Sequence, residues 1–318
     1  MPGSDDIPRL SGAKSWVSLH MNDLILHETP QGPFEYLVVA FAGWADAAEA
    51  ATTSIKYLNR KLKAAKFAEL DPEEYYDFTQ TRPHTIRTKG GKRRVEWPAN
   101  DFYYWKPKDG GKGVVFYLGV EPNLKWRAFT SNITGLAQQL GVKTVVHLGA
   151  LLDAVPHTRE VRLTGWSSHA EIQQDLDDAG IRSSTYSGPT GISAVLMDAC
   201  IKAGFDYVSL WGHTSHYLQA APNYRVAHTL IKFLMGFMDL PVDTNDLKAA
   251  SETFNREVAK AIAEDDQLGS YVDKLEGQYD ESLAATEIPD PSEMVRDLEQ
   301  FLRSEQRQRR RQSSNEGD

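Results

Sequence analysis

Tyr36-Leu37-Val38-Val39-Ala40-Phe41-Ala42-Gly43-Trp44-Ala45-Asp46 is a short apolar run that stops at a glycine and meets an acid. The run is strand-sized and apolar at both odd and even positions, which predicts a strand covered on both faces, as in a mainly parallel sheet. Asp46 is a suitable helix N-cap, and Ile55, Leu58 and Leu62 share one side of a helix expected over residues 47–62. The same grammar recurs three times. Val114-Val115-Phe116-Tyr117-Leu118 lies between Gly113 and Gly119, Thr144-Val145-Val146-His147-Leu148 is ended by Gly149, and Tyr207-Val208-Ser209-Leu210-Trp211 is ended by Gly212. Helices are expected over 126–140, stopped by Gly141, over 192–203, stopped by Gly204, and over 223–237. Strands alternating with helices at this spacing predict an α/β core with helices on both faces of the sheet.

Composition sets the bounds. The chain has 318 residues, 41% hydrophobic and 25% charged, enough for one large core plus an appendage. The single cysteine, Cys200, sits in an apolar periodic stretch and reads as a small buried hydrophobe, so no internal disulfide is expected. Residues 1–10 hold two acids and two prolines and no signal-peptide apolar region. No apolar run approaches the ~20 residues of a membrane span, so a cytoplasmic location is expected. With 35 basic and 44 acidic residues the charge is 35 − 44 = −9, which disfavours nucleic acid or an anionic membrane as partner. The exception, Arg307-Gln308-Arg309-Arg310-Arg311, reads as a solvated end.

Four parts are expected: an N-terminal segment 1–22, the α/β core 23–242, a helical C-terminal extension 243–306 and a disordered basic and polar tail 307–318. Residues 65–110 interrupt the core with Tyr, Trp, Arg and Lys, a hairpin turn at Lys89-Gly90-Gly91-Lys92 and a strand at Arg93-Arg94-Val95-Glu96-Trp97. This reads as a β-rich excursion, either a subunit contact or an aromatic-packed surface loop. In the extension, Phe254, Val258 and Ile262 form one apolar stripe. Asp290-Pro291-Ser292-Glu293 starts a second helix striped by Met294, Leu298, Phe301 and Leu302.

Four polar corners carry the candidate chemistry. Gly43, Trp44 and Asp46 lie where a strand meets a helix, the usual address of a ligand crevice, although Asp46 as a cap would itself occupy the helix N–H donors. Asp153, His157 and Arg159 follow the third strand, with Arg159 a candidate anion contact. His157 beside an acid suits a general base, and the same residues suit a polar loop closed by internal hydrogen bonds. Tyr186-Ser187-Gly188-Pro189-Thr190-Gly191 reads as a strand–turn–helix corner. Gly188, Thr190 and Gly191 are candidate anion contacts, but the corner lacks the lysine and spacing of a P-loop and is preferred as a tight turn. His213 and His216, the latter a candidate ligand contact, are three apart, without the intervening glutamate and four-residue spacing of a zinc-protease helix, so no metal or other cofactor is expected. No Gly-x-Ser-x-Gly nucleophile elbow occurs.

Taken in order, these corners resemble the type-two proteasome assembly chaperone family of archaea and actinobacteria, some members of which are labelled ATP-grasp superfamily. The matching pieces are Phe41 to Asp46, Gly119-Val120-Glu121-Pro122, Leu148 to Asp153 with Pro156 to Arg159, Tyr186 to Ile192, and Trp211 to Tyr217 with Pro222-Asn223. The resemblance implies a three-layer α/β/α fold like that of nucleoside phosphorylases and related hydrolases, with a mainly parallel or mixed sheet. It implies assembly into homo-oligomers and a relation to proteasome α-subunits, and it adds Glu121 to the candidate ligand-binding residues. Archaeal members that bind the proteasome core carry a hydrophobic-Tyr-x tail. This chain ends Ser313-Ser314-Asn315-Glu316-Gly317-Asp318, so docking by that route is not expected. No nucleotide grip bearing a lysine supports the ATP-grasp label. The reading preferred at this point is a non-enzymatic protein-binding or assembly factor. The alternatives are a small-ligand binder or hydrolase-like or phosphorylase-like enzyme using Asp153, His157 and His213 at the strand-end crevice, and an oligomeric scaffold. Whether the chain is an enzyme stays open.

Overall fold

A computed structural model describes residues 23–218 and 221–284. The N-terminal segment 1–22, the helix expected from Asp290 and the basic tail 307–318 lie outside the described residues. The strands are β1 (Leu24–Leu26), β2 (Phe34–Ala42), β3 (Ala65–Leu70), β4 (His84–Arg87), β5 (Arg93–Glu96), β6 (Asp101–Trp105), β7 (Gly113–Val120), β8 (Thr144–Asp153), β9 (Leu163–Ser167) and β10 (Asp206–Ser215). The helices are α1 (Ala50–Leu62), α2 (Trp126–Gln139), α3 (Ala170–Asp178), α4 (Ile192–Ala203), α5 (Tyr224–Met238), α6 (Asn245–Ala263) and α7 (Asp266–Ala284).

Eight strands form one sheet in the order β1-β3-β6-β7-β2-β8-β10-β9. The four apolar runs, β7, β2, β8 and β10, lie side by side and parallel at its centre. Antiparallel β6, β3 and β1 flank them on one side and antiparallel β9 on the other. Because strand side chains alternate, each central strand feeds both layers. Leu37, Val39 and Phe41 pack with Phe129 and Ile133 of α2 and Leu196 of α4. Val38 and Ala40 pack with Ile55 and Leu58 of α1 and Leu230 and Leu234 of α5. The result is the expected α/β/α arrangement with a mixed sheet, and Cys200 is buried in the α2–α4 layer.

Several boundaries differ from the sequence reading. Gly149 and Gly212 do not end their strands. The β8–β10 ladder continues past both, to Ser215 opposite Asp153. These glycines make room sideways: a Cβ on Gly149 would stand 2.4 Å from the Trp211 ring, and one on Gly212 would stand 2.3 Å from Val226 Cγ1 of α5. Helix α1 begins at Ala50 after a 3₁₀ turn, Ala47–Glu49, not at Ala47. Residues 183–188 form no strand, so the Tyr186–Gly191 corner is a loop leading into α4. Of the 65–110 excursion only the β4–β5 hairpin stands apart, because β3 and β6 join the main sheet. Helix α6 buries Leu247, Ser251 and Val258, whereas Phe254 and Ile262 are half-buried. It is fixed to the core by Tyr57, whose hydroxyl donates to Asp246 Oδ1 at 2.5 Å. Among the described residues no helix is long and apolar enough to cross a membrane.

The tight contact at Gly212 yields a direct expectation. Gly212→Ala should lower unfolding stability by about 1–3 kcal/mol, since the added methyl must push α5 off the sheet. Gly90→Ala, at a hairpin position with nothing within 4 Å, should leave the denaturant midpoint nearly unchanged.

Candidate functional site

Parallel strands deliver their C-terminal ends to one edge of the sheet, so the candidate corners after β2, β7, β8 and β10 share that edge. They do not share one pocket. Two polar clusters form there, each closed by its own chain.

The first cluster joins β8, β9 and β10. Asp153 and His213 are nearly buried, and Asp153 Oδ2 lies 2.6 Å from His213 Nδ1. The proton on Nδ1 donates to the carboxylate, which leaves Nε2, 3.0 Å from Thr164 Oγ1, to accept from the hydroxyl when the ring is neutral. Burial would raise the Asp153 pKa. The hydrogen bond and charge of His213, the Ala154 amide and Arg162 outweigh it and hold the carboxyl below its ordinary value. The order carboxylate, imidazole, hydroxyl is that of a hydrolase triad. The recess that His213 lines with Val155, Arg162 and Asn223 measures about 20 Å³, however, room for a water rather than a metabolite. The three side chains thus stitch the ends of three strands together.

The loop after β8 is held just as firmly. Tyr217 OH accepts the His157 amide at 2.8 Å and lies 2.7 Å from His157 Nδ1. Arg225 of α5 donates to the carbonyls of His157 and Arg159. Burial, then the Arg225 charge, pushes the His157 pKa down. His216 Nδ1 donates to the Asp153 carbonyl at 3.0 Å, and its Nε2 lies 3.0 Å from Tyr271 OH of α7. Arg159 donates from Nε and Nη2 to both oxygens of Asp280, at 2.9 and 2.8 Å. The expected anion contact is therefore neutralised from within the chain.

The second cluster is built on Glu121, just past β7. Its Oε1 accepts the Ile192 amide at 2.9 Å and its Oε2 the Trp44 amide at 3.3 Å. Glu121 thereby occupies the start of α4, the place an external anion would take. Gly191 makes this possible, since a Cβ there would stand 2.6 Å from Glu121 Oε1 and 3.1 Å from the Trp44 ring. Gly43, at φ +126°, turns the chain away from β2. Trp44 is left 66% exposed, and Gly188 and Thr190 lie in the exposed loop before α4. Asp46 faces elsewhere. Its Oδ1 accepts the Ala51 and Thr52 amides at 2.8 and 3.2 Å, and its Oδ2 accepts the Thr52 hydroxyl at 2.5 Å. It caps α1 across the 3₁₀ turn, one step removed from the capping position expected.

Sequence reasoning missed Thr164, Arg162, Tyr217 and Arg225, and also the α7 residues Tyr271, Glu276 and Asp280, since it placed 266–284 in the helical extension without marking an apolar stripe there. A signal was present: Val272, Leu275 and Tyr279, at i, i+3 and i+7, are all buried. It also missed His147. This ring is fully buried between Phe41 and Trp211, at centroid distances of 6.1 and 5.4 Å, and among the described residues neither nitrogen has a hydrogen-bond partner. Among the described residues no cluster of three or more His, Cys, Asp or Glu side chains is placed to hold a metal ion.

Comparison with known proteins adds a context. The sequence profile of the PAC2 family matches residues 40–262. The chain is similar to a Mycobacterium tuberculosis protein described as a proteasome-assembly chaperone homologue, with 36% identity over 74% of this chain and 99% of that one, and a TM-score of 0.67. A PAC2 family protein from Streptomyces avermitilis matches at 34% identity over 75% of this chain and 99% of that one, with a TM-score of 0.69. An archaeal proteasome activator from Pyrococcus furiosus, at 17% identity over 75% and 97% of the two chains, shares the fold, with a TM-score of 0.59. No match was found among curated proteins.

His147 makes the cluster region sensitive to acid. Burial lowers its pKa to about 3, so the folded protein stays neutral there while the unfolded chain takes up a proton below about 6.5. The stability linked to this group is complete above about pH 6.5 and is lost as pH falls, by about 1.4 kcal/mol per pH unit. His147→Leu should flatten the decline in unfolding free energy between about pH 6 and pH 4 by that slope. An unchanged slope would show that another group carries it.

Proposed function

This chain belongs to the PAC2 family, and on that premise we propose that it is a protein-binding factor in proteasome assembly, with proteasome α-subunits as its partners. Two kinds of observation support the reading. Relatives similar along nearly their whole length include one described as a proteasome-assembly chaperone homologue. The candidate catalytic groups Asp153, His157 and His213 are spent on internal hydrogen bonds around a water-sized recess, an arrangement that holds loops rather than substrates.

The observation that carries the proposal is Trp44. A tryptophan 66% exposed to solvent, with its amide tied to Glu121 and its ring laid over Gly191, is a large apolar group held in one place with little left to order. Such residues dominate protein–protein binding energies. Leu124 and Tyr186, 50% and 57% exposed, lie in the loops before α2 and α4 at the same edge of the sheet. A cytoplasmic homo-oligomer belongs to the same reading, with the β4–β5 hairpin, which leaves Val95 exposed and is followed by exposed Trp97, as the contact between copies.

Purified full-length protein should capture recombinant proteasome α-subunits in a pull-down. Trp44→Ala should weaken that capture by about 2 kcal/mol, roughly thirtyfold in affinity, without moving the thermal midpoint. Recovery of no α-subunit by the unaltered protein would overturn the proposal.

A further inference from the structure

Helix α7 lies over the loop after β8, burying Val272, Leu275 and Tyr279 and adding charged contacts to that loop. Glu276 accepts from the Thr158 hydroxyl at 2.5 Å and pairs with Arg159 at 3.2 Å. Asp280, one turn further, takes both ends of the Arg159 fork. Tyr279 donates to the Glu160 carbonyl at 3.1 Å and lies under the Arg162 guanidinium, 4.8 Å from ring centre to carbon. Tyr271 stands edge-on to both His216 and Tyr217, at 5.7 and 6.4 Å. Helix and surface are complementary in sign. Within Asp266–Ala284 five acids and one lysine give 5 − 1 = 4 net negative charges, while the loop beneath carries Arg159 and Arg162 with one acid, Glu160, between them.

The start of the helix is secured by its own junction. Only two residues, Glu264 and Asp265, separate α6 from α7. Asp265 Oδ1 accepts the Gln267 and Leu268 amides, both at 3.0 Å, so the cap that starts α7 is carried by its own junction. Its ion pairs with the loop lie partly in water, the Asp280 side chain being 52% exposed, and pairs of that kind weaken with salt.

We propose that α7 is a displaceable strap occupying a docking surface for an acidic amphipathic helix, and that a partner's helix of this kind takes its place on Thr158, Arg159, Arg162 and His216. Glu276 and Asp280 define the pattern the partner must offer: carboxylates four residues apart beside an apolar stripe with a tyrosine. This deepens the protein-binding reading and rests on it for the existence of a partner, but the surface is separate from Trp44.

The first test is hydrogen–deuterium exchange on the unaltered full-length chain. Raising ionic strength from about 0.1 M to about 1 M, which shortens the screening length from about 10 Å to about 3 Å, should speed exchange across α7 and leave the β8 and β10 amides unchanged. The second uses a fluorescent peptide with the sequence of residues 264–284. It should bind full-length Glu276→Lys/Asp280→Lys, whose strap is loosened, about tenfold tighter than unaltered chain, and adding Arg159→Glu should abolish the gain. Exchange in α7 as slow as in β8 and insensitive to salt would overturn the inference. So would equal peptide affinity for the two proteins, or binding that survives Arg159→Glu. Should the double variant fail to fold, the exchange experiment on the unaltered chain decides. Loss of α-subunit capture with intact peptide exchange would reject the proteasome reading and leave the strap standing, and the reverse pattern would reject the strap alone.

Discussion

The ladder between β8 and β10 fixes the rest of the molecule's working edge. From Asp206 opposite Thr144 to Ser215 opposite Asp153 the two strands run parallel in unbroken register. That register brings the Asp153 carboxylate to the His213 ring and sets the His216 amide on the Asp153 carbonyl at 3.1 Å. A slip of one residue would turn each of these side chains to the opposite face. The two internal glycines permit the register: Gly149 leaves space for Trp211, and Gly212 lets α5 approach the sheet.

From that ladder follows a rim that the chain neutralises by itself. Glu121 fills the start of α4, Asp46 the start of α1, Asp153 the His213 ring, and Asp280 the Arg159 fork. Buried or half-buried charges require such partners, since an unpaired one is costly. Large side chains also stay exposed at this edge: Trp44, Leu124, Leu152 and Tyr186.

Much of this was legible in the sequence. The four central strands and the helices α2, α4 and α5 follow from apolar runs and the stop glycines Gly141 and Gly204, all local signals. The edge strands β1 and β9 carry too little periodicity, and α3 buries only Leu176. Strand length past Gly149 and Gly212 was hidden because a glycine that ends a strand and one that admits a neighbour look alike until the neighbour is known. For the site, Asp153 beside His213 lay within reach of a sequence reading, but their partners did not. Thr164, Tyr217 and Tyr271 are ordinary residues in sequence, and only the β9–β10 pairing, the β8–β10 pairing and the path of α7, respectively, bring them to the imidazoles.

Asp153 and His213 act together to hold this rim. A double-mutant cycle with Asp153→Asn and His213→Gln, measured by denaturant unfolding of the full chain at neutral pH, addresses it directly. A coupling of about 1.5–3 kcal/mol is expected for a buried, charge-assisted hydrogen bond. Losses that add to within about 0.5 kcal/mol would mean that the two side chains do not depend on each other, contradicting the claim.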